Sequence, residues 1–195
     1  MPKLSVGDSF PTQSLVTLGG ERISVPSSSH DFVHLELRRF AGCPVCNLHV
    51  REVARRHGEL AAAGVLEVAV FHSEAETMRP FHGDLPFAVV ADPEKHLYRA
   101  LGVESSLASV MDPRAWGGLV RGMFASHPQS AMKGEGGHMG LPADFVVARD
   151  GTVVGLKYGA HADDQLSVDE VLAIVAEARK STKASSLEDH ASPPA

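Results

Sequence analysis

A chain of 195 residues that is 44% hydrophobic and 22% charged has ordinary globular proportions, with enough apolar side chains for one well-buried core and too few for two. A formal net charge of −6, with the cluster of Arg51, Arg55 and Arg56 offset by Glu52 and Glu59, argues against nucleic acid as a partner. No apolar stretch approaches the length that spans a bilayer, and Met1 to Asp8 carries acid where a secretory leader is apolar, so the expectation is a cytoplasmic protein that does not engage a membrane.

Residues 1–180 read as one domain. Gln13–Leu18 and Glu21–Val25 flank Gly19-Gly20, the composition of an N-terminal β-hairpin. Phe32 to Leu37 alternates as a strand and leads through Gly42 into a helical pattern lasting to Gly64. Val65 to Phe71 has the β-branched, apolar content of a buried parallel strand. Ser73 with Glu76 is a capping-box pattern for a short helix ending before Pro80. Phe87–Val90 is a further short strand, and Pro93 suits the first turn of a helix that carries Leu97 and Tyr98 and stops at Gly102. Strand and helix alternate throughout, which predicts a layered α/β fold.

From residue 103 to 140 the pattern weakens, with a helix signal only over 113–124, and this segment reads as an insertion or lid. Asp144–Ala148 and Thr152–Leu156 flank Asp150-Gly151, the strongest hairpin signal in the chain. Ser167 with Glu170 is a second capping box, opening an amphipathic helix through Val171, Leu172, Ile174 and Val175. The polar tail 181–195 is expected to be disordered.

The chain has 2 cysteines, and they form Cys43-Pro44-Val45-Cys46 where a strand turns into a helix. A cysteine at a helix start meets unpaired backbone N–H groups and the positive end of the helix dipole, which favour thiolate. A second cysteine three residues on lies within disulfide reach, so one sulfur can attack and the other resolve. Pro44 suits the first helical turn, where its missing N–H costs nothing. Cys43, ahead of that turn, is expected to be the more exposed, to have the lower pKa and to attack first, with Cys46 resolving. A rival reading makes Cys43, Cys46 and His49 a metal half-site, although no second ligand pair at zinc spacing is present; an inert buried pair is the third. The dithiol reading needs neither cofactor nor metal. A second element, Gly140-Leu141-Pro142-Ala143-Asp144-Phe145, places a proline at a strand start. It is read either as an ordinary loop proline or as a cis-proline loop that offers the backbone of Leu141 to an extended substrate.

These stretches, with Arg39-Phe40-Ala41-Gly42 ahead of the cysteines, Tyr158 to Glu170 near the end and the lead-in Leu4 to Pro11, resemble the peroxiredoxin-like branch of the alkyl hydroperoxide reductase and thiol-specific antioxidant (AhpC/TSA) group. The resemblance implies a thioredoxin-like fold, a central mixed β-sheet flanked by helices, and a cis bond before Pro142 packed on the cysteines. It also shows two departures. Cys43 stands where peroxiredoxins carry a threonine, leaving Cys46 at the peroxidatic position, and Pro142 stands where they carry an arginine. Both changes go towards thioredoxin. Arg38 or Arg39, which must face opposite sides of the sheet, could restore part of a peroxide cradle.

The expectation is therefore a thiol–disulfide oxidoreductase cycling Cys43 and Cys46 on disulfide or hydroperoxide substrates, supported by Arg39, Pro44, Leu141 and Pro142. The alternative is a peroxidase in which Cys46 is oxidised and Cys43 captures the sulfenic acid. The implied reductant is of thioredoxin or glutaredoxin type, and folds of this kind often pair as homodimers. His138 and His161 are candidate pocket residues, each more often a surface histidine, and Trp116 with Met111, Met123, Met132 and Met139 is expected to pack the insertion.

Overall fold

The computed structural model describes residues 3–103 and 141–189. An antiparallel hairpin of β1 (Gln13–Val16) and β2 (Arg22–Val25) precedes the main sheet. The main sheet contains β3 (Phe32–Arg38), β4 (Val65–Phe71), β5 (Ala88–Ala91), β6 (Ala143–Ala148) and β7 (Val153–Tyr158), in the order β5-β4-β3-β6-β7. β3, β4 and β5 run parallel, joined by α1 (Pro44–Ala62) and α2 (Ala75–His82). After α3 (His96–Ala100), β6 returns antiparallel to β3, β7 pairs with β6, and α4 (Val168–Asp189) closes the order. The sheet is mixed and thioredoxin-like, as the resemblance implies.

β3 is central and buried on both sides, and its alternation sorts two unlike faces. Val33, Leu35 and Leu37 pack with Phe10, Val25, Val68, Val70, Tyr98, Phe145 and Val147. Phe32, His34, Glu36 and Arg38 face the other way, towards α1. The N-terminal arm ties down the far edge: the N–H groups of Gly7 and Phe10 donate to the carbonyls of Val153 and Gly151 at 2.8 Å each. At the opposite edge, Leu18 N–H donates to Val89 O at 2.8 Å, latching the hairpin to β5.

The local signals hold where they rest on backbone demands. Gly151 takes φ 92° in the β6–β7 turn, a conformation that favours glycine. Ser167 and Glu170 cap α4 reciprocally: Glu170 Oε2 accepts from Ser167 N–H at 2.7 Å, and Ser167 Oγ accepts from Glu170 N–H at 3.3 Å.

Four expectations are corrected. α2 runs through Pro80 to His82, and its N-cap is Glu74 without a side-chain cap; Ser73 does not cap it, because its hydroxyl accepts Ala41 N–H at 3.0 Å. α3 begins at His96 rather than Pro93, because both carboxylate oxygens of Asp92 accept N–H groups there, from His96 and Leu97 at 2.8 Å each. α4 does not end at residue 180 but continues to Asp189, with Ser181 and Thr182 donating back to the carbonyls of Glu177 and Ala178 at 3.2 and 3.0 Å. The Leu141–Pro142 bond is trans; the cis bond among the described residues is Val25–Pro26. Pro142 O instead accepts Gly159 N–H at 2.9 Å, which extends the β6–β7 pairing up to the proline. The insertion, with Trp116, His138 and the four methionines, lies outside the described residues. His161 Nδ1 accepts Asp163 N–H at 3.3 Å in a local turn.

A dithiol at the head of the first helix

β3 ends at Arg38, and the next four residues carry the chain from the sheet onto α1. Cys43 is the N-cap of that helix, with extended backbone, and Pro44 is its first residue. The approach loop is held from every side. Cys43 N–H donates to Phe40 O, and Asn47 N–H to Cys43 O, both at 3.0 Å. Asn47 Nδ2 donates to Ala41 O at 3.0 Å, and His82 Nε2 lies 2.8 Å from Asn47 Oδ1, which ties the loop to α2.

The sulfurs are 3.0 Å apart, both thiols free, with the Cys46 thiol donating to Cys43. That donation is the chief cause lowering the Cys43 pKa to about 6; burial opposes it, while the Arg39 guanidinium and the backbone N–H groups of Cys46 and Val45 assist. Burial, and then the proton it shares with Cys43, push the Cys46 thiol up. Arg39 Nη1 stands 3.8 Å from Cys43 Sγ. The reason expected for a lower Cys43 pKa, greater exposure, does not hold. Cys43 and Cys46 are 1% and 0% exposed, so exposure does not separate them; the direction of the shared proton does.

Beneath the helix lies a buried charged group. The Arg38 Nη2 atom stands 2.5 Å from Glu36 Oε2, 2.6 Å from Asp144 Oδ1 and 2.9 Å from His49 Nε2. His34 bridges Glu67 at 2.8 Å and Asp144 at 3.3 Å. Burial works against charge on His34, yet Glu67 and Asp144 raise its pKa to about 10. For Asp144, burial is outweighed by Arg38 and His34, which hold the carboxyl well below the usual range.

Arg38 and Arg39 take different partners: Arg38 enters the charged group and Arg39 reaches Cys43. His49 turns to Arg38 and Glu36, so the metal reading loses its third ligand. Among the described residues, the one group with metal-ligand spacing is Glu36, His49 and Asp144, and the Arg38 guanidinium already fills its centre. Leu141 and Pro142 lie just before Ala143, which pairs with Leu37; they reach the cysteine end of β3 without a hydrogen bond to either sulfur. Sequence reasoning did not single out His34, Glu36, Glu67 and Asp144 as a cluster. The signal was there, in three charged or titratable residues at alternate positions of an otherwise apolar strand. A groove of about 1010 Å³ bordered by Asp31, Arg149, Ile174 and Arg179 opens at the other end of β3, remote from the chemistry.

A mixed five-stranded sheet with two facing thiols at the head of the helix after its central strand defines a thioredoxin-like redox protein. Solved structures share the fold. A protein assigned as the thiol:disulfide interchange protein DsbE from Chlorobium tepidum matches at 19% identity, with TM-score 0.59 over 89% of this chain and 99% of that one. Peroxidoxin BcpB from Mycobacterium tuberculosis matches at 16% identity, TM-score 0.64, over 88% and 96%. AhpC from the same organism matches at 18% identity, TM-score 0.62, over 91% and 94%. The profile of the AhpC/TSA antioxidant enzyme family matches residues 52–161, just over half of the chain, and the chain belongs to that family. The match begins after Cys46, so membership does not itself assign the cysteines. No curated protein matches. No helix among the described residues is long and apolar enough to cross a membrane.

Proposed function

We propose that the protein is a dithiol oxidoreductase in which the Cys43 thiolate attacks the substrate and Cys46 resolves the product as an intramolecular disulfide. The observation that carries this reading is the proton held by Cys46 and directed at Cys43, with Arg39 on the other side. A thiolate attacking sulfur forms a mixed disulfide and releases a thiolate; one attacking the terminal oxygen of a hydroperoxide becomes a sulfenic acid and releases an alcohol. In either case the Cys46 sulfur then displaces the group on Cys43, and two equivalents of external thiol, leaving as their own disulfide, restore both. Closure of the pair to 1% and 0% exposure favours a small oxidant over a folded protein disulfide. Cys46 as first nucleophile is disfavoured, because it is the donor of the pair.

Single substitutions separate the roles. Cys43→Ser is expected to abolish turnover, and Cys46→Ser to retain one round of reaction and accumulate a mixed disulfide or sulfenic acid on Cys43, read by mass spectrometry. In Cys46→Ala, which offers no donor, the largest support for the Cys43 thiolate is lost, so the midpoint of its alkylation rises above about 6. Preferential alkylation of Cys46 in the wild-type protein at neutral pH would overturn the assignment.

A further inference from the structure

We propose that His72 is a substrate-binding residue of the Cys43 site, where its imidazole holds the oxygen atoms of a small hydroperoxide and thereby selects that substrate over a disulfide. The inference rests on the reading of Cys43 given above.

His72 follows the last residue of β4 and is 1% exposed, yet among the described residues neither ring nitrogen meets a hydrogen-bond partner outside the backbone of His72 itself. A buried imidazole left so is costly, and a polar ligand relieves the cost. Its surroundings place it at the cysteine end of the sheet. Phe71 pairs with Arg38 in the parallel register, so His72 and Arg39 leave neighbouring strands side by side. Arg39 is the residue that reaches Cys43 at 3.8 Å. The residue after His72, Ser73, holds the N–H of Ala41 at 3.0 Å, two positions ahead of Cys43. The His72 ring stands edge-on to Tyr98, centroids 5.7 Å apart, and the Tyr98 hydroxyl reaches the carbonyls of Arg38 and, at 3.0 Å, of Val70.

Burial first, then the charges of Lys95 and Arg39, lower the His72 pKa to about 4, against a raising contribution from the residue's own backbone. The ring is therefore neutral at physiological pH and presents one N–H donor and one bare acceptor nitrogen. A hydroperoxide supplies the complement, a hydroxyl hydrogen and oxygen acceptors. A disulfide has no such hydrogen and only weak acceptors. In the reaction, Cys43 sulfur bonds the terminal oxygen and the O–O bond breaks. Sulfur gives up two electrons, and the departing oxygen takes them together with the proton Cys43 released on ionising. His72 donates a hydrogen bond to that oxygen and transfers no proton itself.

The test compares His72→Phe and His72→Asn with wild type in single-turnover reactions of reduced protein with hydrogen peroxide and with dithiobis(nitrobenzoate), a small disulfide. Phenylalanine keeps the ring and its stacking on Tyr98; asparagine keeps a donor and an acceptor. The expected result is a drop of about tenfold in the peroxide rate for His72→Phe, in line with loss of the paired hydrogen bonds, with partial recovery in His72→Asn. The disulfide rate and the pH midpoint of Cys43 alkylation should change by less than about twofold, since neither depends on the imidazole nitrogens. Equal losses with both oxidants, or no loss with peroxide, would overturn the role of His72. A wild-type Cys43 inert to both oxidants would instead overturn the proposed function.

Discussion

The two faces of β3 are built on opposite principles from one heptapeptide. On one side Val33, Leu35 and Leu37 join a continuous apolar core; on the other His34, Glu36 and Arg38 sit in a network of charges with no access to water. The apolar side has no directional demand and tolerates any packing that fills space. The charged side does have one. Arg38 satisfies Glu36, Asp144 and His49 only if β3, β6 and α1 stand in one relative position, and α1 is the helix that carries both cysteines. Breaking either face costs stability, and the charged face in addition constrains where α1 and its cysteines stand.

The comparison is broken most severely by Arg38→Met, which leaves Glu36 and Asp144 buried without their cation. Removing one partner from such a group costs about 3–5 kcal/mol, so urea unfolding should show a loss of that size. Whatever folded protein remains should alkylate Cys43 with altered kinetics, because α1 is no longer held. An unchanged alkylation profile would show that the network does not position the helix.

Leu35→Ala on the opposite face is fully buried and should cost about 2–5 kcal/mol. There the cost should leave the Cys43 midpoint near 6. A midpoint that moves with Leu35 as much as with Arg38 would erase the distinction between the faces.

The smallest effect is in pH. His34 is raised from 6.5 to about 10, so its contribution is fully present below 6.5 and is lost as pH rises towards 10. Glu67, raised to about 7 chiefly by burial, acts in the same direction between its unfolded value and neutrality. Reduced Cys43 acts oppositely between about 6 and 9. In a Cys43→Ser/Cys46→Ser background, which also removes the buried Cys46 thiol whose raised pKa acts in the same direction, thermal melts should therefore fall by a few degrees from pH 7 to 10, and His34→Gln should flatten that slope. A slope that survives the substitution would place its source elsewhere.

Some of this was legible in the sequence for definable reasons. β4 was found to the residue because a buried parallel strand is a continuous β-branched run. The β6–β7 turn and the α4 cap were found because Gly151, Ser167 and Glu170 meet backbone demands set within four residues. The start of α1 followed from Pro44, and the thiol pair from its spacing. The end of α4 was missed because polar composition was read as disorder, where the helix runs on to Asp189. The trans bond before Pro142 was missed because the cis expectation came from the resemblance and from no local signal.

By itself, the sequence determined the alternation of elements, the position of Cys43 and Cys46 at a helix start, and the chemistry two adjacent thiols can perform, since each depends on neighbours along the chain. The tertiary structure decided that the two sulfurs meet with Arg39 rather than Arg38 beside Cys43, that His49 belongs to the charges under the helix, and that among the described residues the His72 ring has no partner outside its own backbone. Those are contacts between residues far apart in sequence, and their sign depends on burial and on which face of β3 each side chain takes.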